Sequence, residues 1–204
     1  MFIRYLTTKD KAELLIPMHK LSSDDNSRYI SSLSLLEVNA HLLYQAILIK
    51  TANQDVNSFL DEISQDSLKH STLLKALSTV SIPIAPQAPL FSEISATNNE
   101  AETIRNRIQA TEKITDLMLP EIFRKLLTLE TSLYEYYGFF LQIDLHKSLE
   151  NIFLDFLNDE EKHKELLKRA EVTVSQKTQE QPDHTPQVKY KNPDSWSGAM
   201  PPTY

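Results

Sequence analysis

The chain has 204 residues, no cysteine, two glycines and a formal net charge of −7. Without cysteine it can form neither disulfides nor cysteine-ligated metal sites, and thiol catalysis is excluded as well. So few glycines argue against phosphate-binding loops and strand-rich folds, and the negative charge without a basic stripe predicts that the chain binds no nucleic acid.

Residues 1–21 carry several charged side chains and lack the apolar centre of a signal peptide. No uninterrupted apolar run approaches the ~20 residues that a membrane-spanning helix needs. We therefore expect a cytoplasmic protein that has no membrane partner, with residues 1–21 as a lead-in to the folded domain.

A first pair of long helices is predicted between residues 22 and 77. Residues 22–26 supply cap-forming serine, aspartate and asparagine side chains. After them, apolar residues recur at steps of three and four over residues 30–47 and again over residues 56–77, which is the period of one helical face. A polar turn at residues 51–55 separates the two stretches.

The periodicity disappears over residues 80–99, where three prolines prevent a continuous helix. We predict a long crossover connection there, followed by a peripheral helix over residues 101–119 that Pro120 ends. Two more long helices are predicted, with apolar stripes over residues 123–141 and 152–170.

Beyond about residue 174 the composition shifts to Gln, Thr, Pro and charged residues, and five prolines within residues 181–204 exclude a helix there. We therefore divide the chain into a lead-in (1–21), a helical domain (22–174) and a tail (175–204). The tail is expected either to be disordered or to wrap another subunit through its scattered aromatic residues. We expect a homo-oligomer, most simply a dimer.

The two predicted helix pairs repeat each other with an offset of 93 residues. His70 follows Glu37 by 33 residues, and His163 follows Glu130 by the same interval. Duplicated glutamate–histidine helix pairs form the skeleton of a carboxylate-bridged dimetal site in four-helix bundles.

One position breaks the repeat. Glu160 forms a Glu-x-x-His motif with His163, whereas Ser67 stands at the equivalent position of the first half. The helical step of three places Glu160 and His163 on one face, where both can reach one ion. Carboxylates on apolar stripes are costly to bury unless a cation or protons offset their charge. Oxygen and imidazole ligands suit iron, manganese or zinc.

The same offset superimposes Tyr44 on Tyr137 and Asp66 on Asp159. We expect the two tyrosines to face inward, with hydroxyl groups that bond a glutamate or a histidine. Asp66 lies one residue before the broken position, a rotation of ~100° on a helix, so we expect it to point away from the site and not to replace the missing carboxylate.

Four segments resemble the ferritin-like superfamily, and most of all rubrerythrin-type proteins. They are LLEVNAHLLYQ around Glu37, DSLKHSTLLKAL around His70, LETSLYEYYGF around Glu130 and LNDEEKHKELLKRA around His163. The resemblance covers residues 27–172 except the crossover. It implies an all-α, ferritin-like four-helix bundle whose long crossover carries an extra helix. Since the chain has no cysteine, it would lack the rubredoxin domain through which rubrerythrins commonly pass electrons.

Transferred residue by residue, the resemblance implies that Glu130, Glu160 and His163 hold one metal ion. Glu37 and His70 would hold the other, with a serine where a bridging glutamate is expected. The cofactor would be iron, or else manganese or zinc, as one or two ions. We expect the half that contains Glu160 to bind its ion more tightly.

These ligands fit an oxidase- or peroxidase-like protein, or an iron-handling protein without turnover. An enzyme of this kind would need a separate electron donor, because the chain has no cysteine to hold an electron-transfer iron. The alternative is a metal-free scaffold that keeps the helical fold and acts through oligomerisation or other protein interactions.

Overall fold

The computed structural model describes residues 23–80, 88–141 and 145–180, which are helical apart from turns and one isolated bridge. Within these ranges lie five helices: α1 (Ser23–Lys50), α2 (Gln54–Leu77), α3 (Ala88–Ala110), α4 (Leu119–Phe140) and α5 (Lys147–Glu180). The all-α class predicted from the sequence is thereby confirmed for this part of the chain. The predicted lead-in, part of the crossover and residues 181–204 of the tail lie outside the described residues.

The apolar faces predicted from the sequence are buried. Along α2 the buried side chains follow one another at steps of three and four from Val56 to Leu74. α4 buries Glu130 within a stripe of leucine and aromatic residues, and α5 does the same with Glu160. Because each helix turns one stripe toward the core, the charged residues on these stripes come to lie inside it.

α3 begins at Ala88, whereas the sequence prediction placed this helix at residue 101 and left residues 80–99 irregular. The prediction was wrong because it treated every proline as a helix breaker. Pro89 lies in the first turn of α3, where a missing N–H leaves no helical hydrogen bond unmade. Buried Ile94 and Ala101 mark the inner face of the helix.

α3 also ends earlier than predicted, at Ala110 instead of residue 119. The residues after it turn back toward α1, where the N–H of Ile114 donates to the carbonyl of Lys50 over 3.0 Å. Pro120 lies in the first turn of α4 instead of ending the helix before it, in a position that suits proline.

The helices of each predicted pair pack against each other, α1 against α2 and α4 against α5. α1 also packs against α3, and α2 contacts α5, so the two pairs share one core. An aromatic layer between α4 and α5 forms one side of this core, with the rings of Phe140 and Phe153 stacked 4.2 Å apart. The ferritin-like four-helix bundle and the equivalence of its two halves stay predictions.

The segment Ser27–Lys50 of α1 is long and apolar enough to cross a membrane, with a mean hydropathy of 1.3. The expectation that the chain has no membrane partner stays a prediction. Half of the apolar stretch is buried inside the folded protein. The core helix of a globular domain has the same length and composition, so the segment does not by itself identify a span.

Candidate metal centre

Five polar side chains lie buried among the apolar residues of the core. They are Glu37 of α1, His70 of α2, Glu130 of α4, and Glu160 and His163 of α5, and none is more than 1% exposed. Each lies on a stripe whose other members are mostly apolar, so the packing that buries the stripe also buries the polar group. The structure therefore brings together all five residues that the sequence predicted for the site.

The five side chains form two groups that share one member. In each group the possible ligand atoms lie within 4.8 Å of one another. The first group consists of Glu37, His70 and Glu160. Glu130, Glu160 and His163 make the second. Glu160 lies between the two histidines, with Oε1 3.3 Å from His70 Nδ1 and Oε2 3.6 Å from His163 Nδ1.

Glu160 lies near both halves of the site, whereas the ligand assignment suggested by the sequence placed it in one half. The repeat gave Glu160 to the second half alone and left the first half with one carboxylate. In the structure each group contains two carboxylates and one imidazole, because Glu160 lies close to both histidines. The two groups therefore have the same kinds of ligand, and the remaining difference between the two halves is Ser67, which is 1% exposed and belongs to neither group.

The chemistry of the donors fits a divalent metal. Glu37 Oε2, Glu160 Oε2 and Ser67 Oγ are buried and have no hydrogen-bond partner within the described part of the chain. An unpaired buried polar atom costs ~1–3 kcal/mol, and more if it is charged, so the two carboxylate oxygens would gain from a bound cation. Carboxylate oxygens with imidazole nitrogens suit iron, manganese and zinc.

Two tyrosines hold the outer carboxylates of the site. Tyr44 donates its hydroxyl hydrogen to Glu130 Oε1, and Tyr137 donates to Glu37 Oε1. Burial and the adjacent glutamates raise the pKa of both phenols well above the ordinary value, so both remain protonated donors. The prediction that these hydroxyls face inward and bond a glutamate is confirmed.

Two aspartates fix the orientation of the histidine rings. His70 Nε2 lies 3.0 Å from Asp159 Oδ2, and His163 Nε2 lies 3.4 Å from Asp66 Oδ2. Because Nε2 of each ring bonds an aspartate, Nδ1 faces the glutamate carboxylates. Proteins commonly orient metal-binding histidines by such a hydrogen bond at the second ring nitrogen. Asp66 belongs to neither ligand group, but the expectation that it points away from the site is wrong, because its carboxylate contacts His163. The equivalence of Asp66 and Asp159 in the repeat was the signal that could have revealed it.

Without metal, protons offset the charges of the cluster. Burial disfavours the charged form of His70, but hydrogen bonds with Asp159 and the glutamates outweigh it and raise its pKa to about 12. Burial also lowers the pKa of His163, but its hydrogen bonds with Glu130 and Glu160 have the larger effect and raise this pKa to about 11. Burial and then the charge of Glu130 raise the pKa of Glu160 to about 8. Near neutral pH both imidazoles are therefore positively charged, and the Glu160 carboxyl group is protonated and uncharged.

We expect the metal-free protein to lose stability as the pH rises from about 6 to about 9. The pKa values of Glu160, His70 and His163 are higher in the folded protein than in an unfolded chain, so the folded state binds more protons. Their stabilisation is complete below the unfolded values, ~4.3 for glutamate and ~6.5 for histidine, and is lost as the pH passes upward through the folded values. Denaturant midpoints measured in chelator at several pH values test this.

Glu130 responds in the opposite direction. Burial opposes its ionisation, but the hydrogen bond and charge of His163 outweigh burial and lower the pKa of Glu130, so its stabilisation is present above its ordinary pKa and lost in acid. Stability in chelator is therefore expected to be highest in mildly acidic solution. A stability that instead increased steadily from mildly acidic to mildly alkaline pH would show that the cluster does not hold these protons.

Comparison of the chain with protein-family models, with curated proteins and with solved structures gave no match in any of the three. The resemblance to ferritin-like proteins is therefore not supported by these comparisons and rests on the four sequence segments alone. The buried groups of three carboxylates and two imidazoles are observed independently of any relative.

Proposed function

We propose that this protein binds two divalent transition-metal ions in a carboxylate–histidine centre bridged by Glu160. The observation that carries the proposal is the position of Glu160 between the Nδ1 atoms of His70 and His163. Glu37 and Glu130 would be the terminal carboxylates, one for each ion, each held by a tyrosine hydroxyl. Iron, manganese and zinc are the ions that this donor set suits.

The charge of the cluster predicts unequal affinities for the two ions. With its imidazoles neutral, the cluster of three carboxylates carries three negative charges, so the first divalent ion leaves one negative charge and the second leaves one positive charge. The second ion therefore binds more weakly. Because the histidines and Glu160 must release protons, the affinity for both ions increases with pH.

Anaerobic titration with ferrous iron, with manganese in parallel, tests the proposal on protein purified without an affinity tag. We expect two ions per chain, the first bound more tightly. At 100 times its dissociation constant, an ion that binds only the folded state would stabilise it by about 2.7 kcal/mol. His70→Ala should lose one ion, while His146→Ala, which removes an exposed histidine outside both groups, should bind like the parent. A parent that binds no ion would refute the proposal.

From the ferritin-like resemblance we propose further that the iron-loaded protein reduces dioxygen or peroxide, with electrons from a separate protein. Iron would supply the redox chemistry. The chain itself would orient the ligands through Tyr44 and Tyr137 and limit the access of water with Phe156, whose ring lies 4.4 Å from the ring of His70. Oxygen consumption by ferrous-loaded protein, with manganese-loaded protein as the unreactive control, distinguishes turnover from metal handling. Bound iron that stays ferrous in air would leave only the handling function.

One observation favours a second candidate, a metal-free scaffold. Each terminal carboxylate is already paired with a histidine in the described structure, Glu37 with His70 over 3.2 Å and Glu130 with His163 over 3.0 Å. Once the histidines are protonated, these pairs allow the helical core to persist without an ion. A well-folded parent that binds neither iron, manganese nor zinc would support this candidate.

A further inference from the structure

The outer face of α1 carries an apolar stripe that no described residue covers. Leu35, Leu42 and Ile49 are 54%, 42% and 78% exposed, and we call these three residues the α1 seam. Successive members are seven residues apart, a spacing that drifts only ~20° per step and so runs nearly straight along a helix. Leu35 and Leu42 each precede a buried residue of the metal centre, Glu37 or Tyr44, by two positions. A rotation of ~200° places the seam on the opposite side of the helix.

The α1 seam is also free of charge. Between Arg28 and Lys50 the only Asp, Glu, Lys or Arg is Glu37, which is completely buried. The outer face of α1 therefore presents no carboxylate, lysine or arginine over ~6 turns of helix. The one histidine in this stretch, His41, is half-buried beside Ser64 of α2, with its Nδ1 3.0 Å from the Ser64 carbonyl. Charged residues make up 24% of the chain, so a bare face of this length is unusual for a helix that meets only water.

Neighbouring helices lie on both sides of the seam. On one side the hydroxyl of Ser34 donates to the carbonyl of Ser71 in α2 over 2.8 Å. On the other side Asn39 donates to Asn98 of α3 over 3.0 Å. Leu68 of α2, which is 41% exposed, precedes Ser71 by one turn and extends the apolar surface at the α1–α2 boundary. The seam is thus the centre of a surface that three helices form.

We propose that a second copy of this chain docks on the α1 seam, so that the two α1 helices cross a two-fold axis antiparallel to each other near Leu42. In a two-fold interface the same patch faces itself, and a charged residue near the axis would meet its own copy. The α1 seam avoids that repulsion because it has no charge. Leu35 of one copy would lie opposite Ile49 of the other, and the seven-residue spacing keeps the three side chains on one face of each helix.

The surroundings of the seam fit a protein better than a lipid surface. Asp61 and Lys75 are exposed on α2 at helical steps from the residues that bond α1, and Glu102 is exposed on α3. An apolar centre with a mixed-charge rim is typical of protein interfaces. A standard interface buries ~800 Å² per partner, more than three side chains supply, so the proposed docking would also have to involve α2 and α3. The net charge of −7 opposes attraction to anionic lipids.

The molar mass of the full chain in solution tests the proposal, measured by light scattering both in chelator and with metal, since the seam does not depend on the metal centre. We expect a dimer in both conditions. Leu42→Glu should halve the mass while circular dichroism shows an intact fold. Leu154→Glu is the matched control, because Leu154 is 38% exposed on α5, away from the seam, and this variant should stay dimeric. A monomeric parent, a dimer that survives Leu42→Glu, or one that Leu154→Glu also dissociates would overturn the proposal.

Cysteine cross-linking tests the antiparallel register, because the chain has no cysteine of its own. Leu42→Cys should oxidise to a covalent dimer, since this position faces its own copy at the axis. Leu35→Cys and Ile49→Cys should not cross-link separately but should do so when the two variants are co-expressed. Vesicles of phosphatidylcholine and phosphatidylglycerol test whether a membrane, and not a second copy, covers the seam. If the parent bound these vesicles and Leu42→Glu abolished the binding, a membrane would cover the seam and the proposal would fail.

Discussion

Glu160→Gln is expected to abolish tight binding of both metal ions, whereas replacing either histidine should abolish the binding of only one ion. Glu160 is shared by the two ligand groups and lies within 3.6 Å of Nδ1 of both His70 and His163. Glutamine keeps the shape of the side chain but removes its charge and one oxygen donor, so neither ion keeps a bridging carboxylate. We expect the affinity for each ion to fall by more than the ~10–100-fold that loss of an outer hydrogen-bond partner costs.

The same substitution should leave the metal-free fold intact. Glu160 holds a proton near neutral pH because burial and Glu130 raise its pKa to about 8, and glutamine imitates this uncharged form. Calorimetric titration with manganese, beside denaturation of the metal-free variant, therefore separates binding from folding. Glu161→Gln is the matched control, since Glu161 is the next residue, is 56% exposed and pairs with Lys164. If Glu160→Gln bound two ions with parental affinity, Glu160 would not be the bridge.

Ser67→Glu is expected to strengthen binding of the second ion at least ~tenfold, which corresponds to ~1.4 kcal/mol. Ser67 occupies the repeat position of Glu160, and its buried hydroxyl oxygen has no hydrogen-bond partner among the described residues. A fourth carboxylate would balance the charge of two divalent ions, which three carboxylates leave positive. The metal-free variant should be less stable than the parent, on the order of 3 kcal/mol, because an added buried carboxylate lacks a counter-charge.

Ser67→Gln is the control that separates charge from size. It has nearly the volume of the glutamate variant without its charge, so it should bind the second ion no better than the parent. Equal gains from both variants would mean that filling space, and not charge, improves the site. No gain from either would mean that residue 67 does not reach the metal and that the two halves are not equivalent at this position.

Local periodicity was sufficient to place α1, α2, α4 and most of α5, since each buries the stripe that the sequence shows. The end of α5 was missed, because the helix continues to Glu180, inside the segment predicted to be the tail. Periodicity also placed the five site residues in one core, because their side chains lie on those stripes. The inward direction of the tyrosines followed from the same reasoning, since each comes seven residues after a glutamate and so lies two turns along the same face. Which glutamate each hydroxyl bonds did not follow from it. These parts depend only on which side of a helix a residue occupies.

Distances between helices could not be derived from periodicity. The sharing of Glu160 depends on how closely α2 approaches α5, and the bond between Asp159 and His70 depends on the same approach. No spacing within one helix encodes it. The start of α3 was missed for a different reason, since the effect of Pro89 depends on its position in the turn and not on its presence.

Each tyrosine hydroxyl donates a hydrogen bond to the glutamate of the other repeat: Tyr44 donates to Glu130, and Tyr137 donates to Glu37. The two histidine–aspartate bonds cross between the repeats in the same way. Each helix pair joins its own glutamate and histidine but takes its tyrosine and aspartate contacts from the other pair. We therefore expect the two pairs to unfold together in one transition. A hairpin paired with a copy of itself would form every one of these cross contacts twice. Joining two such hairpins into one chain requires a new connection but no new contact.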